Sequence, residues 1–441
     1  MAERRHPVAE RLPITLHAYR LASAALTPLA GTFLKRRLRR GKENPERLRE
    51  RYGEGSVPRP AGPLVWIHAA SVGELLAVIP LIERIHKQNF AVLCTSGTVT
   101  SAQLASGRLP AGVVHQFVPL DTPRFVRRFL EHWKPDLALF VESDIWPNLI
   151  IAAAQRDIPM LLVNGRLSER SFNLWRYLPG TIGALLSRFE LCLAQSPAHA
   201  ERYRDLGAPR ITTTGNLKLD VPQPPADEHK LRALRQALGA RPVIAATSTH
   251  PGEEEIVVAT HQRLRKTTPQ LLTMIAPRHP DRGDEIAAIA VAAGLTVALR
   301  SRGGLPNPRT DIYIVDTLGE LGIVYRLAPI VFVGGSLASH GGQNPIEAVK
   351  LGAAVLHGQH VWNFAEIYAA LASSQGAQQV AGADDLAECI GAWLAHPDEA
   401  RATTEAAHKV VARLAGALER TLGSLEPYLM QLRLERRARN A

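Results

Sequence analysis

The sequence contains very little cysteine. Only Cys94, Cys192 and Cys389 occur in 441 residues, and no two of them form a C-x-x-C pair. A disulfide framework and a structural zinc ribbon both need closely spaced cysteines, so neither is expected. The cysteine content is therefore typical of a protein from a reducing compartment.

Several common catalytic and binding motifs are also missing. The chain contains no G-x-G-x-x-G, no G-x-x-x-x-G-K-[ST], no D-x-D and no G-x-S-x-G. These absences argue against a dinucleotide fingerprint, a P-loop, an acidic pair for a metal–nucleotide complex and the nucleophile elbow of a hydrolase. The chemistry must therefore reside in other residues.

The positive charge is concentrated at one end of the chain. The net charge is +11, and the first sixty residues contain fourteen Lys and Arg against six Asp and Glu. A nucleic-acid binder would carry its basic residues on a folded face and interleave them with aromatic residues. Neither feature is present, so no nucleic-acid partner is predicted.

An uncharged stretch, residues 21–34, precedes six cationic residues within residues 35–42. A spanning helix needs about 20 apolar residues, so this stretch is short for a membrane span. We predict a helix that lies in or on an anionic cytoplasmic leaflet, because such attachment uses both an apolar face and positive charge. A soluble helix packed on the first domain and a single membrane span are the alternatives.

From residue 63 onwards, short apolar runs alternate with amphipathic stretches. This alternation predicts parallel sheets with helices on both faces. A proline-rich segment with little apolar content interrupts the pattern, which then restarts. We predict an α/β protein with two doubly wound, Rossmann-like domains and a ligand cleft at the carboxyl ends of both sheets. The predicted divisions are a membrane-associated segment (1–52), a first domain (53–217), a linker (218–228) and a second domain with terminal helices (229–441).

In the first predicted domain, charged side chains follow the ends of strands. Glu74 closes HAASVGE at the start of a helix. It is either an ordinary helix-start carboxylate or a general base for a substrate hydroxyl. Within ESDIWPN, Asp144 is a candidate helix cap, whereas Glu142 has no such explanation. Lys218 in GNLKLD is either a cation facing the cleft or a solvated linker lysine.

In the second predicted domain, three strand-end segments are candidates for nucleotide contacts. Arg278 in APRHP can pair with a phosphate or carboxylate, and DTLGEL occupies residues 316–321. The segment from Gly334 to Glu347 is the most specific of these three candidates. Its glycine pairs are expected to leave backbone N–H groups free, Pro345 suits a first helical turn, and a helix N-terminus favours an anion. Glu347 can accept hydrogen bonds from ribose. For any single loop, the alternative interpretation is an ordinary turn that binds no nucleotide.

Taken together and in order, these segments resemble the 3-deoxy-D-manno-octulosonic acid (Kdo) transferases of lipopolysaccharide synthesis over nearly the whole chain. The resemblance implies two Rossmann-like domains of the GT-B type. It also implies metal-independent, inverting transfer of Kdo from CMP-Kdo to the lipid A precursor at the cytoplasmic face of the inner membrane. The matching segments are HAASVGE, ESDIWPN, NGRLS, GNLKLD, STHPGEEE, PRHP, DTLGEL and GGSLASHGGQNPIEA.

The resemblance also implies roles for individual residues. Glu74 matches the catalytic base, and Glu142 and Lys218 match residues that stabilise the transition state. Two departures from the family pattern, Gln343 for histidine and Asp144 for glutamate, bear on substrate contacts more than on the reaction. The residues that match contacts to CMP are Pro277, Arg278, Leu318, Gly319, Glu320, Asn344, Pro345, Ile346 and Glu347.

Two other functions remain possible from the residues. One is a different GT-B glycosyltransferase or an epimerase that uses a UDP-sugar. The other is a membrane-attached protein that binds a nucleotide sugar without turnover, although a pure binder would not need Glu74. No cofactor and no metal ion are predicted. The predicted partners are CMP-Kdo, the lipid A precursor and the anionic surface of the inner membrane.

Overall fold

The computed structural model describes residues 12–220 and 223–440. Three of the predicted divisions extend beyond these residues. The parts outside the described chain are the first eleven residues of the membrane-associated segment, residues 221 and 222 of the linker, and residue 441 of the second domain. The described residues form two compact units. The first ends at Asp220 and also includes the residues from Gly416 onwards, and the second ends at Ala415.

The first unit is built on a parallel seven-stranded sheet in the order β3-β2-β1-β4-β5-β6-β7. The order reverses between β1 and β4, which is where doubly wound sheets bind ligands. Serine or threonine side chains cap α3, α4, α5, α7 and α9, as expected for residues that hydrogen-bond free backbone N–H groups. The strands are β1 Leu64–His68, β2 Ala91–Ser96, β3 Val114–Phe117, β4 Leu137–Val141, β5 Met160–Gly165, β6 Leu191–Ala194 and β7 Ile211–Thr213. The helices are α1 Ile14–Ala25, α2 Ala30–Arg39, α3 Val72–Lys87, α4 Val99–Arg108, α5 Pro123–Trp133, α6 Pro147–Ala154, α7 Glu169–Trp175, α8 Pro179–Leu186 and α9 Pro197–Asp205.

The second unit repeats this architecture. Its seven parallel strands have the order β10-β11-β9-β8-β12-β13-β14, and the order reverses between β8 and β12. The strands are β8 Val243–Thr249, β9 Leu272–Pro277, β10 Val297–Leu299, β11 Ile312–Ile314, β12 Ile330–Val333, β13 Ala354–His357 and β14 Ala377–Gln379. The helices are α10 Glu228–Leu238, α11 Glu253–Leu264, α12 Gly283–Ala292, α13 Leu321–Leu327, α14 Ile346–Lys350, α15 Ala365–Ser373, α16 Ala383–Ala395 and α17 Pro397–Leu414. Two doubly wound α/β units confirm the predicted fold class.

The last helix, α18 Ala417–Asn440, corrects the predicted division of the chain. The sequence analysis assigned residues 416–441 to the second domain, but the residues from Gly416 onwards belong to the first unit. Leu425 and Leu429 are fully buried in the same core cluster as Val65 and Ile67 of β1. Asp220 holds the start of the returning segment, because its carboxylate accepts the backbone N–H of Gly416 at 2.8 Å.

The N-terminal segment forms two short helices instead of one long one. The uncharged stretch is divided between α1 and α2, which are joined by a 3-10 turn at Thr27–Leu29. Leu16 and Leu34 are buried in the first unit. A second set of apolar side chains is exposed: Ile14, Leu21, Leu26, Leu29 and Phe33. Among the described residues, no helix combines the length and the apolar character needed to cross a membrane.

Candidate active site

Glu74 lies in the first turn of α3, immediately after β1. Ser71 caps the helix by accepting the N–H of Glu74, and its hydroxyl donates to the Glu74 carboxylate at 2.7 Å. The second carboxylate oxygen accepts the N–H of Ala70 at 2.8 Å. Burial raises the pKa of Glu74 above its ordinary value. The negative charges of Asp144 and Glu142 raise it further, against the opposing effect of these hydrogen bonds. A carboxyl with a raised pKa is suited to accept a proton.

Glu142 and Lys218 form an ion pair at the same edge of the sheet. Glu142 follows β4 directly and has a left-handed backbone conformation with φ of 59°. This conformation is uncommon outside glycine and is frequent at functional sites. Lys218 Nζ lies 2.6 Å from Glu142 Oε1. A Cβ atom on Gly73 would lie 3.9 Å from the same Nζ, so the lysine approaches the start of α3.

A short 3-10 helix, Leu217–Leu219, carries Lys218. The buried side chain of Asn164, at the end of β5, accepts the N–H of Leu217 at 2.9 Å. Asn216 caps the turn by accepting the N–H of Lys218 at 3.0 Å. Asn164 lies in NGRLS and Asn216 in GNLKLD, and no role was predicted for either asparagine. The structure shows that both of them hold the backbone of Lys218 in position.

Asp144 contacts His68 instead of capping a helix. The helix α6 begins at Pro147, and no side chain caps it. The Asp144 carboxylate lies 3.6 Å from Nε2 of His68, which is fully buried at the end of β1. Burial raises the pKa of Asp144, but the contacts with His68 and Trp146 outweigh burial, and the pKa is lower than usual. No role was predicted for His68, because a histidine at the end of an apolar strand is usually part of the core.

The first unit therefore brings together all three of its predicted catalytic residues. Glu74, Glu142 and Lys218 follow β1, β4 and β7, and Asp144 adds a third carboxylate. Lys218 forms an ion pair with Glu142. The negative charges of Asp144 and Glu142 both raise the pKa of Glu74, in addition to the larger effect of burial. This arrangement can hold a hydroxyl nucleophile and accept its proton.

In the second unit, the loops after β8, β9 and β12 converge through histidines. His250, just after β8, stacks on His340 with ring centroids 4.1 Å apart, and its ring centroid lies 6.1 Å from that of His279. Burial, followed by the positive charge of neighbours that include His340 and Arg278, lowers the pKa of His250. Arg278 is exposed, and its backbone N–H donates to the carbonyl of Thr249 at 3.0 Å. The predicted anion contact of Arg278 is therefore sterically accessible.

The glycine-rich loop, which follows β12 and begins at Gly334, differs from the prediction in one respect. Its backbone N–H groups were expected to be free for a ligand, but the carboxylate of Glu253 accepts those of residues 335–338. The N–H of Gly342 donates to Gly335, and the N–H of Gln343 donates to Gly334. The prediction failed because the carboxylate of Glu253, the first residue of α11, and backbone carbonyls of the same loop accept these hydrogen bonds.

Glu320 is also more constrained than the sequence indicated. Its carboxylate accepts hydrogen bonds from Arg300 at 2.9 Å, from Lys230 at 3.0 Å and from Thr317. The bond from Arg300 is the largest cause that lowers the pKa of Glu320 to about 2, against the effect of burial. Leu318 is 85% exposed and Gly319 has a positive φ of 80°. Contacts of this turn with a nucleotide stay a prediction.

Residues 344–347 form the start of α14, which is only five residues long. Pro345 is the N-cap residue and not, as predicted, part of the first turn. The side chain of Asn344 accepts the N–H of Ile346 at 3.0 Å, so one helix-start donor is already satisfied within the chain. Glu347 is half-buried. Across residues 12–220 and 223–440, no group of three or more His, Cys, Asp or Glu side chains is arranged to hold a metal ion.

Comparison with known proteins identifies the family. The model of a family described as 3-deoxy-D-manno-octulosonic-acid transferase (kdotransferase) matches residues 46–221. The 3-deoxy-D-manno-octulosonic acid transferase of Bordetella pertussis is 37% identical over 423 residues, which cover 93% of this chain and 99% of the relative. A probable mitochondrial 3-deoxy-D-manno-octulosonic acid transferase of Arabidopsis thaliana is 38% identical over 393 residues, 86% of this chain and 88% of the relative. The chain belongs to the Kdo transferase family. It is therefore a glycosyltransferase.

Solved structures with low sequence identity share the fold of this Kdo transferase. A glycosyltransferase from Rickettsia africae has a TM-score of 0.54 at 12% identity and covers 85% of this chain and 99% of its own. The UDP-GlcNAc 2-epimerase of Neisseria meningitidis has a TM-score of 0.53 at 15% identity and covers 82% of this chain and 100% of its own. These similarities support the GT-B type fold. At such identities they do not favour the epimerase alternative.

Proposed function

We propose that this Kdo transferase moves Kdo from CMP-Kdo to a hydroxyl of the lipid A precursor, with inversion at the anomeric carbon. The observation that carries the proposal is the grouping of Glu74, Glu142 and Lys218 at the switch point of the first sheet. A raised pKa suits Glu74 to the role of base. The adjacent ion pair supplies a fixed charge distribution close to the base.

The reaction is a single displacement. The acceptor hydroxyl oxygen bonds to the anomeric carbon while the bond from that carbon to the CMP phosphate oxygen breaks. The hydroxyl proton goes to Glu74, whose two carboxylate oxygens accept hydrogen bonds from the N–H of Ala70 and the hydroxyl of Ser71 and each retain a further lone pair. CMP leaves with the bonding electrons as an anion. Because no covalent enzyme intermediate forms, one displacement inverts the anomeric centre.

The donor is assigned to the second unit. Arg278 is exposed next to the histidine cluster and carries the charge that an anionic donor needs. Pro277, the turn of residues 318–320 and residues 344–347 complete the proposed CMP contacts. Kdo carries a carboxylate of its own, so a cationic environment suits both parts of the donor. We further propose that transfer needs no divalent metal ion.

The proposed location is the cytoplasmic face of the inner membrane, with α1 and α2 on the anionic surface. Both helices expose large apolar side chains. The second half of α2 and the residue after it also expose cations, namely Lys35, Arg36, Arg39 and Arg40. Apolar side chains can enter the interface, while each nearby cation contributes about 1 kcal/mol on an anionic leaflet. Membrane attachment would bring the transferase close to its lipid acceptor.

One assay tests the proposed reaction. The full chain is incubated with CMP-Kdo and a tetra-acylated lipid A precursor in detergent, and the lipid is weighed by mass spectrometry. We expect a product heavier by at least one Kdo unit, and stoichiometric release of CMP. Parallel reactions with UDP-sugars should leave the lipid unchanged. Transfer that is lost in a chelator and restored by Mg²⁺ would refute the proposed metal independence, and transfer from a UDP-sugar would refute the donor.

A further inference from the structure

The segment STHPGEEE, residues 248–255, contains three consecutive glutamates that take no part in the proposed reaction. Glu253 and Glu254 are fully buried, whereas Glu255 is exposed. Burial of a carboxylate is costly unless hydrogen bonds or opposite charges compensate it. The partners of each glutamate therefore indicate why it lies where it does.

Glu253 is surrounded by backbone N–H groups. One carboxylate oxygen accepts those of Ser336 at 3.0 Å, Leu337 at 2.9 Å and Ala338 at 3.2 Å. The other accepts those of Gly335 at 2.7 Å and His250 at 2.9 Å. A carboxylate offers about four lone-pair sites, so five donors saturate it. The loop after β12 is thus wrapped around an internal anion.

This contact extends to the proposed donor-binding residues. The carbonyls of Gly334 and Gly335 accept the N–H groups of Gln343 at 3.2 Å and Gly342 at 2.7 Å. The position of residues 342 and 343 therefore depends on the conformation of residues 334–338, which Glu253 holds. Asn344 and the start of α14 follow directly.

The two neighbouring glutamates hold different parts of the structure. Glu254 accepts hydrogen bonds from Thr249 at 2.8 Å and from Arg282, in the turn that follows PRHP, at 2.6 Å. Among the described residues, Glu255 accepts a hydrogen bond only from the N–H of Gly252, at 3.1 Å, within its own helix start. The contacts of Glu253 with the glycine-rich loop are therefore specific to that one position.

We propose that Glu253 is a positioning residue that presets the glycine-rich loop for the donor nucleotide; the identity of that nucleotide rests on the proposed function. Its charge is essential to this role, because the surrounding groups are all donors. Glutamine has one acceptor oxygen and would turn an NH₂ group towards N–H donors, leaving buried groups unsatisfied. Aspartate keeps the charge but is shorter by one methylene group.

The test compares Glu253→Gln and Glu253→Asp with Glu255→Gln as the matched control, each in the full chain. Hydrogen exchange of the amides at residues 335–338 is measured without ligand, and CMP affinity is measured by calorimetry. For Glu253→Gln we expect exchange at these amides to accelerate, and the Kd for CMP to rise, by about tenfold or more. Glu253→Asp should fall between Glu253→Gln and the wild type, and Glu255→Gln should match the wild type.

Steady-state kinetics separate positioning from a general loss of stability. We expect Glu253→Gln to raise the KM for CMP-Kdo, while the KM for the lipid acceptor and the kcat stay within about threefold of the wild type. Partial unfolding would instead lower the active fraction and leave both KM values unchanged. If Glu253→Gln does not fold, the CMP affinity of Glu253→Asp decides, and a value equal to that of the wild type overturns the proposal.

CMP binding within about twofold of the wild type, or unchanged loop exchange, in folded Glu253→Gln would also overturn the proposal. Failure of the proposed function has a different signature. In that case the wild-type chain itself would neither bind CMP nor transfer Kdo. The exchange measurement, made without ligand, would still report whether Glu253 organises the loop.

Discussion

Glu74 has a structural role in the first unit, beside the chemical role proposed for it. Its backbone and side chain complete the cap of α3, and its carboxylate lies among the negative charges that raise its pKa. A residue that only capped the helix would benefit from a low pKa, since the helix N-terminus favours the ionised form. The raised pKa therefore supports the assignment of Glu74 as the base.

Replacement of Glu74 by glutamine should abolish transfer while leaving CMP binding unchanged. Glutamine keeps the size of the side chain but cannot accept the proton, and a general base contributes about 10²–10⁴-fold in rate. Single-turnover assays and CMP calorimetry measure the two effects. Glu83→Gln, on the same helix, is the control and should retain activity. A glutamine variant with near-normal turnover would show that another group takes the proton.

The charge of Asp144 should be visible in the pH dependence of transfer. The base must be ionised, so activity is lost as the pH falls through the pKa of Glu74. Because this pKa is raised, the acidic limb of the pH–rate profile lies at a higher pH than an ordinary glutamate would give. The negative charge of Asp144 favours protonated Glu74. Asp144→Asn should therefore lower the pKa of Glu74 and move the acidic limb of kcat/KM to lower pH. An unchanged limb, or one at higher pH, would contradict this coupling.

The loop after β12 is packed against the loop after β13 with almost no free space. A Cβ atom on Gly358 would lie 2.2 Å from the backbone oxygen of Ser336, a contact that real structures do not tolerate. Gly358→Ala should therefore displace residues 336–338, lower stability by about 1–3 kcal/mol and weaken CMP binding. Thermal unfolding and calorimetry measure these effects.

Gly382→Ala is a suitable control in the same unit, because a Cβ atom there would meet nothing within 4 Å. It should leave both stability and CMP affinity close to those of the wild type. Equal behaviour of the two alanine variants would mean that the loop can relax without cost.

The exposed apolar side chains of α1, α2 and the 3-10 turn between them allow a test of membrane attachment that keeps the first unit intact. Truncation near Gly53 is unsuitable, since the preceding residues Glu50 and Arg51 are buried in this unit and the Glu50 carboxylate accepts the N–H of Phe117 at 2.6 Å. Serine at Leu21 and Leu29, which are 73% and 59% exposed, removes apolar surface without disturbing the core.

This double substitution should reduce binding to vesicles that contain phosphatidylglycerol by about tenfold or more. Each substitution removes the favourable free energy of transferring a leucine side chain from water into the membrane interface. Flotation assays measure the binding. Serine at Val291 and Leu305, which are also exposed but lie in the second unit, is the control. Equal flotation of the two variants would mean that α1 and α2 do not insert.

The polypeptide crosses from the first unit to the second and then returns. Leu422, Leu425 and Leu429 of α18 are buried in the first unit, and each buried leucine contributes about 1.5–3 kcal/mol. A chain that ends at Ala415 should therefore lose the stability of the first unit, although the residues from 223 to 415 are all retained.

Hydrogen exchange resolved by peptide should show the loss in residues 64–213 and not in the second unit. A chain that ends at Leu434, which keeps these three leucines, is the control and should exchange like the wild type. Uniform protection in the shorter chain would mean that α18 contributes little to the folding of the first unit.

The sequence by itself determined the fold class, most of the strands and the candidate residues of the first unit. This information is local, since apolar runs, Ser and Thr caps and the order of short motifs all lie within a few residues of one another. The sequence pattern predicts strands over residues 64–68, 137–141 and 330–333 and a helix over residues 123–133, and the structure has the same bounds for β1, β4, β12 and α5. Glu74, Glu142 and Lys218 were all identified before any distance between them was known.

Only the tertiary structure decided how these residues interact. His68 holds Asp144 across a gap of many residues, Glu253 binds a loop 82 residues further along the chain, and α18 returns to the first unit. Each of these interactions joins segments that have no pattern in common, and a buried carboxylate takes whichever donors the fold brings near it. Sequence periodicity does not indicate such long-range pairing, because it shows only which face of a helix or strand is apolar.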